Sequence, residues 1–110
     1  MNFEDFRKNI ELKLDSIAKF ELLEFHFEPN SFGNGILAYR IKGRNHKFIF
    51  DGRENELIWL IGKSHQKYFG GKLTEFKRVD GLEISIEELE SGIKNSAQQR
   101  TELNSKFFYH

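Results

Sequence analysis

The chain has no cysteine, and Pro29 is its single proline in 110 residues. Without thiols there is neither a disulfide nor a thiolate metal site. The fold must then rest on its apolar core, and that chemistry is compatible with a reducing cytoplasm, the expected location. Long apolar runs are also missing: none approaches the roughly 20 residues that cross a bilayer. The opening "MNFEDFRKNI" carries early acids and no apolar h-region, so neither a secretory signal nor a membrane role is expected. Nor does charge of one sign dominate, because 17 basic and 17 acidic residues cancel. A general nucleic-acid binder gathers several Lys or Arg on one face, so nucleic acid is not the expected partner.

The cancellation hides an uneven distribution. Residues 1–29 hold four basic and seven acidic groups, residues 30–70 seven and three, and residues 71–110 six and seven. The middle is therefore basic and the flanks acidic. What the chain has in plenty is aromatic carbon: twelve Phe, three Tyr and one Trp. Each such ring can bury roughly 150–250 Å², enough to stabilise one domain of this length without covalent staples.

Periodicity gives the element order. Phe3, Phe6, Ile10, Leu14 and Ile17 recur at helical spacing, so residues 3–19 read as an amphipathic helix with Asn2 as N-cap. In "FELLEFHFE", residues 20–28, apolar and polar residues alternate as in a half-buried strand. "PNSFGNG" reads as a turn, and "ILAYRIK" (36–42) as a second strand with Leu37, Tyr39 and Ile41 on one face. "KGRNHK" reads as a turn, "KFIFD" as a strand and "DGREN" as another turn. "LIWLI" (57–61) is apolar on both faces, as in a strand covered on each side, and "KLTEFKRV" (72–79) reads as the last strand. Ser85 and Glu88 form a capping box, with Ile84 and Leu89 as a hydrophobic staple, so a second helix starts there. Its apolar stripe is Ile86, Leu89, Ile93 and Ala97, and the tail after about residue 100 is expected to fray or to dock through "FFY". The fold class is thus α+β: an N-terminal helix, an antiparallel sheet of about five strands, and a C-terminal helix in a single domain, 1–110.

Chemical motifs are few. "GKS" at 62–64 resembles the end of a phosphate-binding loop, but Leu57 stands where that motif needs glycine and no helix follows. His26, His46, His65 and His110 show no metal-ligand spacing and read as surface or rim histidines, so no metal and no cofactor is expected. Glu87–Glu88 is explained by the helix start, and Asp51, Glu54 and Glu56 by a turn. No catalytic set stands out, and an enzyme is not expected. The helix–strands–helix order resembles a double-stranded-RNA-binding domain. That reading fails on "SIEELE", where the family needs lysines and this chain puts acids.

"GKSHQKYFGG", 62–71, is longer than a tight hairpin needs, and longer loops more often carry function. Gly70 and Gly71 would let the chain turn back into the strand. Lys63, His65, Lys67 and Tyr68 are the preferred contact residues, with Arg40, Lys42 and Arg44 of the basic middle beside them. In a meander, "DGREN" with Arg53 should lie at the opposite end from "KGRN" and from this loop. Replacing Lys63, Lys67 and Tyr68 is expected to weaken partner binding and spare stability.

In size and layout the chain is similar to the small immunity proteins of bacterial toxin systems, including contact-dependent inhibition. The likeness spans the whole chain and lies in its architecture. It implies a protein that binds a cognate toxin domain and blocks it. A basic middle then asks for an acidic toxin surface. Two other classes remain open: a small enzyme or ligand-binding domain, which needs a concave pocket, and a self-assembling subunit, a homodimer through "LIWLI" or the aromatic tail.

Overall fold

A computed structural model describes residues 1–94. Ala97 and the terminal aromatics, read above as stripe and docking tail, lie outside the described residues. Helix α1 spans Phe3–Asp15, followed by strands β1 (Phe20–Glu28), β2 (Asn34–Ile41), β3 (Arg44–Asp51), β4 (Glu56–Gly62) and β5 (Leu73–Asp80). Residues 86–94 are helical and are called α2. The five strands form one antiparallel meander in the order β1-β2-β3-β4-β5. The α+β architecture inferred from the sequence is the one found.

Local chemistry explains where elements begin. Asn2 and Asp5 make a reciprocal capping box at α1, so two otherwise unpaired backbone donors are satisfied. Ser85 and Glu88 do the same at α2, at 3.2 and 3.1 Å. Helix α1 is shorter than its apolar spacing predicts and stops at Asp15 rather than residue 19. Ser16 caps it, and Ile17 and Ala18 both bond back to the Leu14 carbonyl before the chain extends into β1. Ile17 still packs on the core from this turn.

The segment "KGRNHK" is mostly strand, not turn. Ile41 pairs with Arg44, and only Lys42 and Gly43 lie between them. Both have positive φ, 51° and 77°, the backbone of a two-residue hairpin turn whose twist matches its strands. Polar Asn45 and His46 then belong to β3 and are buried.

Register divides the sheet into two faces. One carries Phe25, Leu37, Phe48 and Trp59 as a single row across β1–β4. Helix α1 lays Phe3, Phe6, Ile10 and Leu14 on this face, and α2 with its lead-in adds Ile84, Leu89 and Ile93. Phe3 stacks against Phe25 and Phe50 at 6.1 and 6.2 Å, and Trp59 meets Phe48 and Phe76 at 5.1 and 5.0 Å. Arg7 and Tyr39 both bond to Glu11 at 2.8 Å, tying α1 to β2. Lys77 bonds to Glu88 at 2.7 Å, tying β5 to α2.

The other face carries the row His26, Ile36, Ile49, Ile58 and Arg78. Among the described residues no helix lies on it, so Ile36, Ile49, Ile58 and Leu60 stay half-buried. "LIWLI" is therefore divided: Leu57, Trp59 and Ile61 face the helices, Ile58 and Leu60 the open side.

Candidate functional site

The open face is not bare at both ends. Residues 63–72, joining β4 to β5, fold back across it. The His65 amide donates to the Gly43 carbonyl at 2.8 Å, fixing the loop to the β2–β3 turn. The Asn45 side-chain amide donates to the Gln66 carbonyl at 2.9 Å, and the Gln66 side-chain oxygen accepts from the Lys63 amide at 3.3 Å. Farther along, the Tyr68 hydroxyl donates to Glu24 on β1, the opposite edge strand. Burial and that bond keep the hydroxyl protonated well above the usual tyrosine range. Lys47 completes the anchor, 3.7 Å from Glu24 and 5.5 Å from the centre of the Tyr68 ring.

The turn geometry follows from the glycines. Gly71 donates to the Tyr68 carbonyl at 3.2 Å, and a side chain at 71 would run into the Lys67 carbonyl. Gly70 takes a φ of 82°. The loop reverses only because both positions are free of side-chain atoms.

The fold brings the basic candidates to one end of the sheet. Lys42 sits in the β2–β3 turn, and Lys63, His65 and Lys67 point into solvent from the loop. Arg40 bonds to Asn45 at 3.3 Å, and Arg44 reaches the Gly62 carbonyl at 3.4 Å. Tyr68 differs from its expected role. It is 8% exposed and clamps the loop, so it cannot be an exposed contact, and replacing it would disturb stability. The exposed ring is its neighbour Phe69, 76% exposed and packed edge-on against Tyr68 at 4.8 Å.

Arg53 lies at the other end, its guanidinium 4.4 Å over the ring of Phe32. This end holds the turns 29–33 and 52–55 and is acidic, with Glu28, Asp51, Glu54 and Asp80 exposed. Between the turns lies a groove of about 750 Å³ on the open face, walled by Phe32 and Arg53, with Ile36 and Ile49 in its floor and Glu28 and Asp51 on its rim. The chain's zero net charge thus conceals a separation along the strands, basic at the loop end and acidic at the groove end.

His46 is a correction of another kind. It is fully buried on the helix-covered face, not on the surface or rim, and His26 stands on the opposite face. The Trp59 indole N–H donates to its Nδ1 at 3.2 Å, so the neutral ring carries its proton on Nε2, which has no hydrogen-bond partner among the described residues. Burial first, and the Arg44 guanidinium second, push its pKa down to about 4.

Three residues that hold the site, Glu24, Asn45 and Gln66, are absent from the sequence-derived candidates. Glu24 read as one polar tooth of an alternating strand. Its alternation with Phe25 and Phe27 already sets it on the open face with His26; what no local pattern shows is that Tyr68 arrives over it. Among the described residues no group of three or more His, Asp or Glu is placed to hold a metal ion, and no helix is long and apolar enough to cross a membrane. The chain matches no protein-family model, no curated protein and no solved structure.

Proposed function

We propose that the protein is a protein-binding inhibitor of the immunity type, acting in the bacterial cytoplasm by docking a cognate toxin domain on the loop end of its open sheet face. The observation that carries this reading is a loop fixed from behind and free in front. Its backbone and Tyr68 are tied to β1, β3 and the β2–β3 turn, while Lys63, His65, Lys67 and Phe69 remain in solvent. Binding energy concentrates on a few aromatic and cationic anchors, and a surface already ordered loses less entropy on docking. Phe69 supplies the aromatic anchor, and the surrounding cations select an acidic toxin surface.

The test is affinity capture with the tagged chain, followed by titration of the purified partner. The triple variant Lys63→Ala, Lys67→Ala, Phe69→Ala is expected to bind at least about tenfold more weakly, with an unchanged Tm. The native chain is expected to abolish the partner's toxicity. A triple variant that binds as tightly as the native chain would sink the reading.

The groove favours a second reading, a small ligand-binding domain. In that case a ligand would raise Tm, Ile36→Arg would erase the rise, and capture by the loop would persist.

A further inference from the structure

We infer that the sheet face on which no described helix lies is the contact surface for a second copy of this chain, paired about a two-fold axis lying in the plane of the contact and perpendicular to the strands. This pairing uses the same loop end as the inhibitor reading, so a second copy and a toxin domain are alternative occupants of this face, but its test needs no toxin. Three properties of the face argue for it.

The first is charge. Lys63 and Lys67 are exposed at one end of the face, and Glu28 and Asp51 at the other. A two-fold axis along the strands would set like ends together. An axis across them reverses the second copy and sets each basic end over an acidic end. A two-fold contact must be self-complementary, and only this orientation is.

The second is shape. The loop projects from the face at the basic end, with Phe69 76% exposed. The groove of about 750 Å³ is recessed at the acidic end. Both sit over the same side of the sheet. Tyr68, next to Phe69, bonds to Glu24 on β1, while the groove floor contains His26 of β1, Ile36 of β2 and Ile49 of β3. Rotation about an axis across the strands keeps β1 over β1, so each loop tip arrives at its partner's groove. Phe69 of each copy then covers Ile36 and Ile49 of the other, and Lys67 of each comes to Glu28 of the other.

The third is size and content. Five strands at about 4.8 Å spacing, each showing about seven residues at roughly 3.3 Å, make a face of about 24 by 23 Å. Corrugated by side chains, that is the scale of the roughly 800 Å² per partner that stable interfaces bury. Its middle row, Ile36, Ile49 and Ile58, gives the apolar centre, and the charges lie at the rim, as in protein interfaces generally.

The experiment is a charge reversal read by sedimentation of the full purified chain. Glu28 and Lys67 are both exposed, so their reversal is expected to leave the far-ultraviolet circular dichroism and Tm unchanged. The native chain is expected to form a concentration-dependent dimer. Lys67→Glu alone and Glu28→Lys alone each put like charges opposite twice in a homodimer, and each should weaken dimerisation at least about tenfold. An equimolar mixture of the two variants restores opposite charges at both contacts, so its dimer should return. Phe69→Ser, which changes no charge, should also weaken the dimer. A native chain that stays monomeric at its highest soluble concentration overturns the inference and leaves the face to a different protein. Single reversals that dimerise as the native chain does, or a mixture that stays monomeric, overturn it as well. Because no partner is present in these measurements, they fail or succeed separately from the capture experiment.

Discussion

The Tyr68 hydroxyl donates to the Glu24 carboxylate, joining the loop after β4 to the strand at the far edge of the sheet. The two residues are 44 positions apart in the chain. One bond therefore spans the whole meander and turns a connection into a strap. A hydrogen bond to a charged group contributes about 1.5–3 kcal/mol. Tyr68→Phe is expected to lower stability by about 1–2 kcal/mol, since Lys47 still faces the carboxylate. Tyr68→Ala, which also removes a buried ring, should cost about 3–5 kcal/mol. Urea unfolding of the two variants checks both values. Equal, near-zero losses would mean that the strap does not exist in solution.

Gly35 sits against the ring of Phe3, and any side chain at 35 would enter that ring. Helix α1 approaches the sheet this closely only because β2 presents a bare backbone there. Gly35→Ala is expected to destabilise by about 1–3 kcal/mol through overpacking. Adding Phe3→Leu should make the pair less damaging than the sum of its singles, because the smaller side chain relieves the clash. Strict additivity in a double-mutant cycle would contradict the contact.

Stability should also respond to acid through His46. Its pKa is about 4 in the fold against 6.5 in the unfolded chain, so the unfolded state takes up the proton first. Its contribution is complete above about pH 6.5, falls as pH drops through that value, and is fully lost below about pH 4. A separation of this size corresponds to about 3 kcal/mol. His46→Gln does not titrate and still offers an acceptor to Trp59. Its stability curve between pH 7 and 4 should run flatter than the native one, measured by denaturant midpoints. Parallel curves would place the acid sensitivity elsewhere.

The outward residues of the loop are expected to behave oppositely to Tyr68. Lys63→Ala and Lys67→Ala each remove a charge that stands exposed in solvent and should shift stability by less than about 0.5 kcal/mol. Differential scanning calorimetry separates this outcome from a structural role, in which both would lower Tm.

Much of the fold was readable because its signals are local. The alternation in "FELLEFHFE" marks β1 over the residues that form it, and the spacing of Ser85 and Glu88 marks the start of α2. The end of α1 was not readable, since the apolar stripe continues to Ile17 and the cap at Ser16 is decided by how the chain must turn into β1. The misread segment 44–46 has turn-like composition. Asn45 is buried where Gln66 arrives above it, and His46 is buried on the helix-covered face beside Trp59. The same holds for the site. The cations at its end of the sheet were legible from the alternation of hairpin turns, whereas the exchange of roles between Tyr68 and Phe69 depends on Glu24, a contact no local pattern encodes.

The central claim is that residues 63–72 are an ordered part of the open face. Amide hydrogen exchange at His65 and Gly71 tests it most directly, since each donates its N–H inside the loop assembly, to Gly43 and to Tyr68. Strong protection of both, lost at both in Tyr68→Ala while β2 and β3 stay protected, is the predicted result. Exchange at the rate of an unstructured chain in the native protein would contradict it.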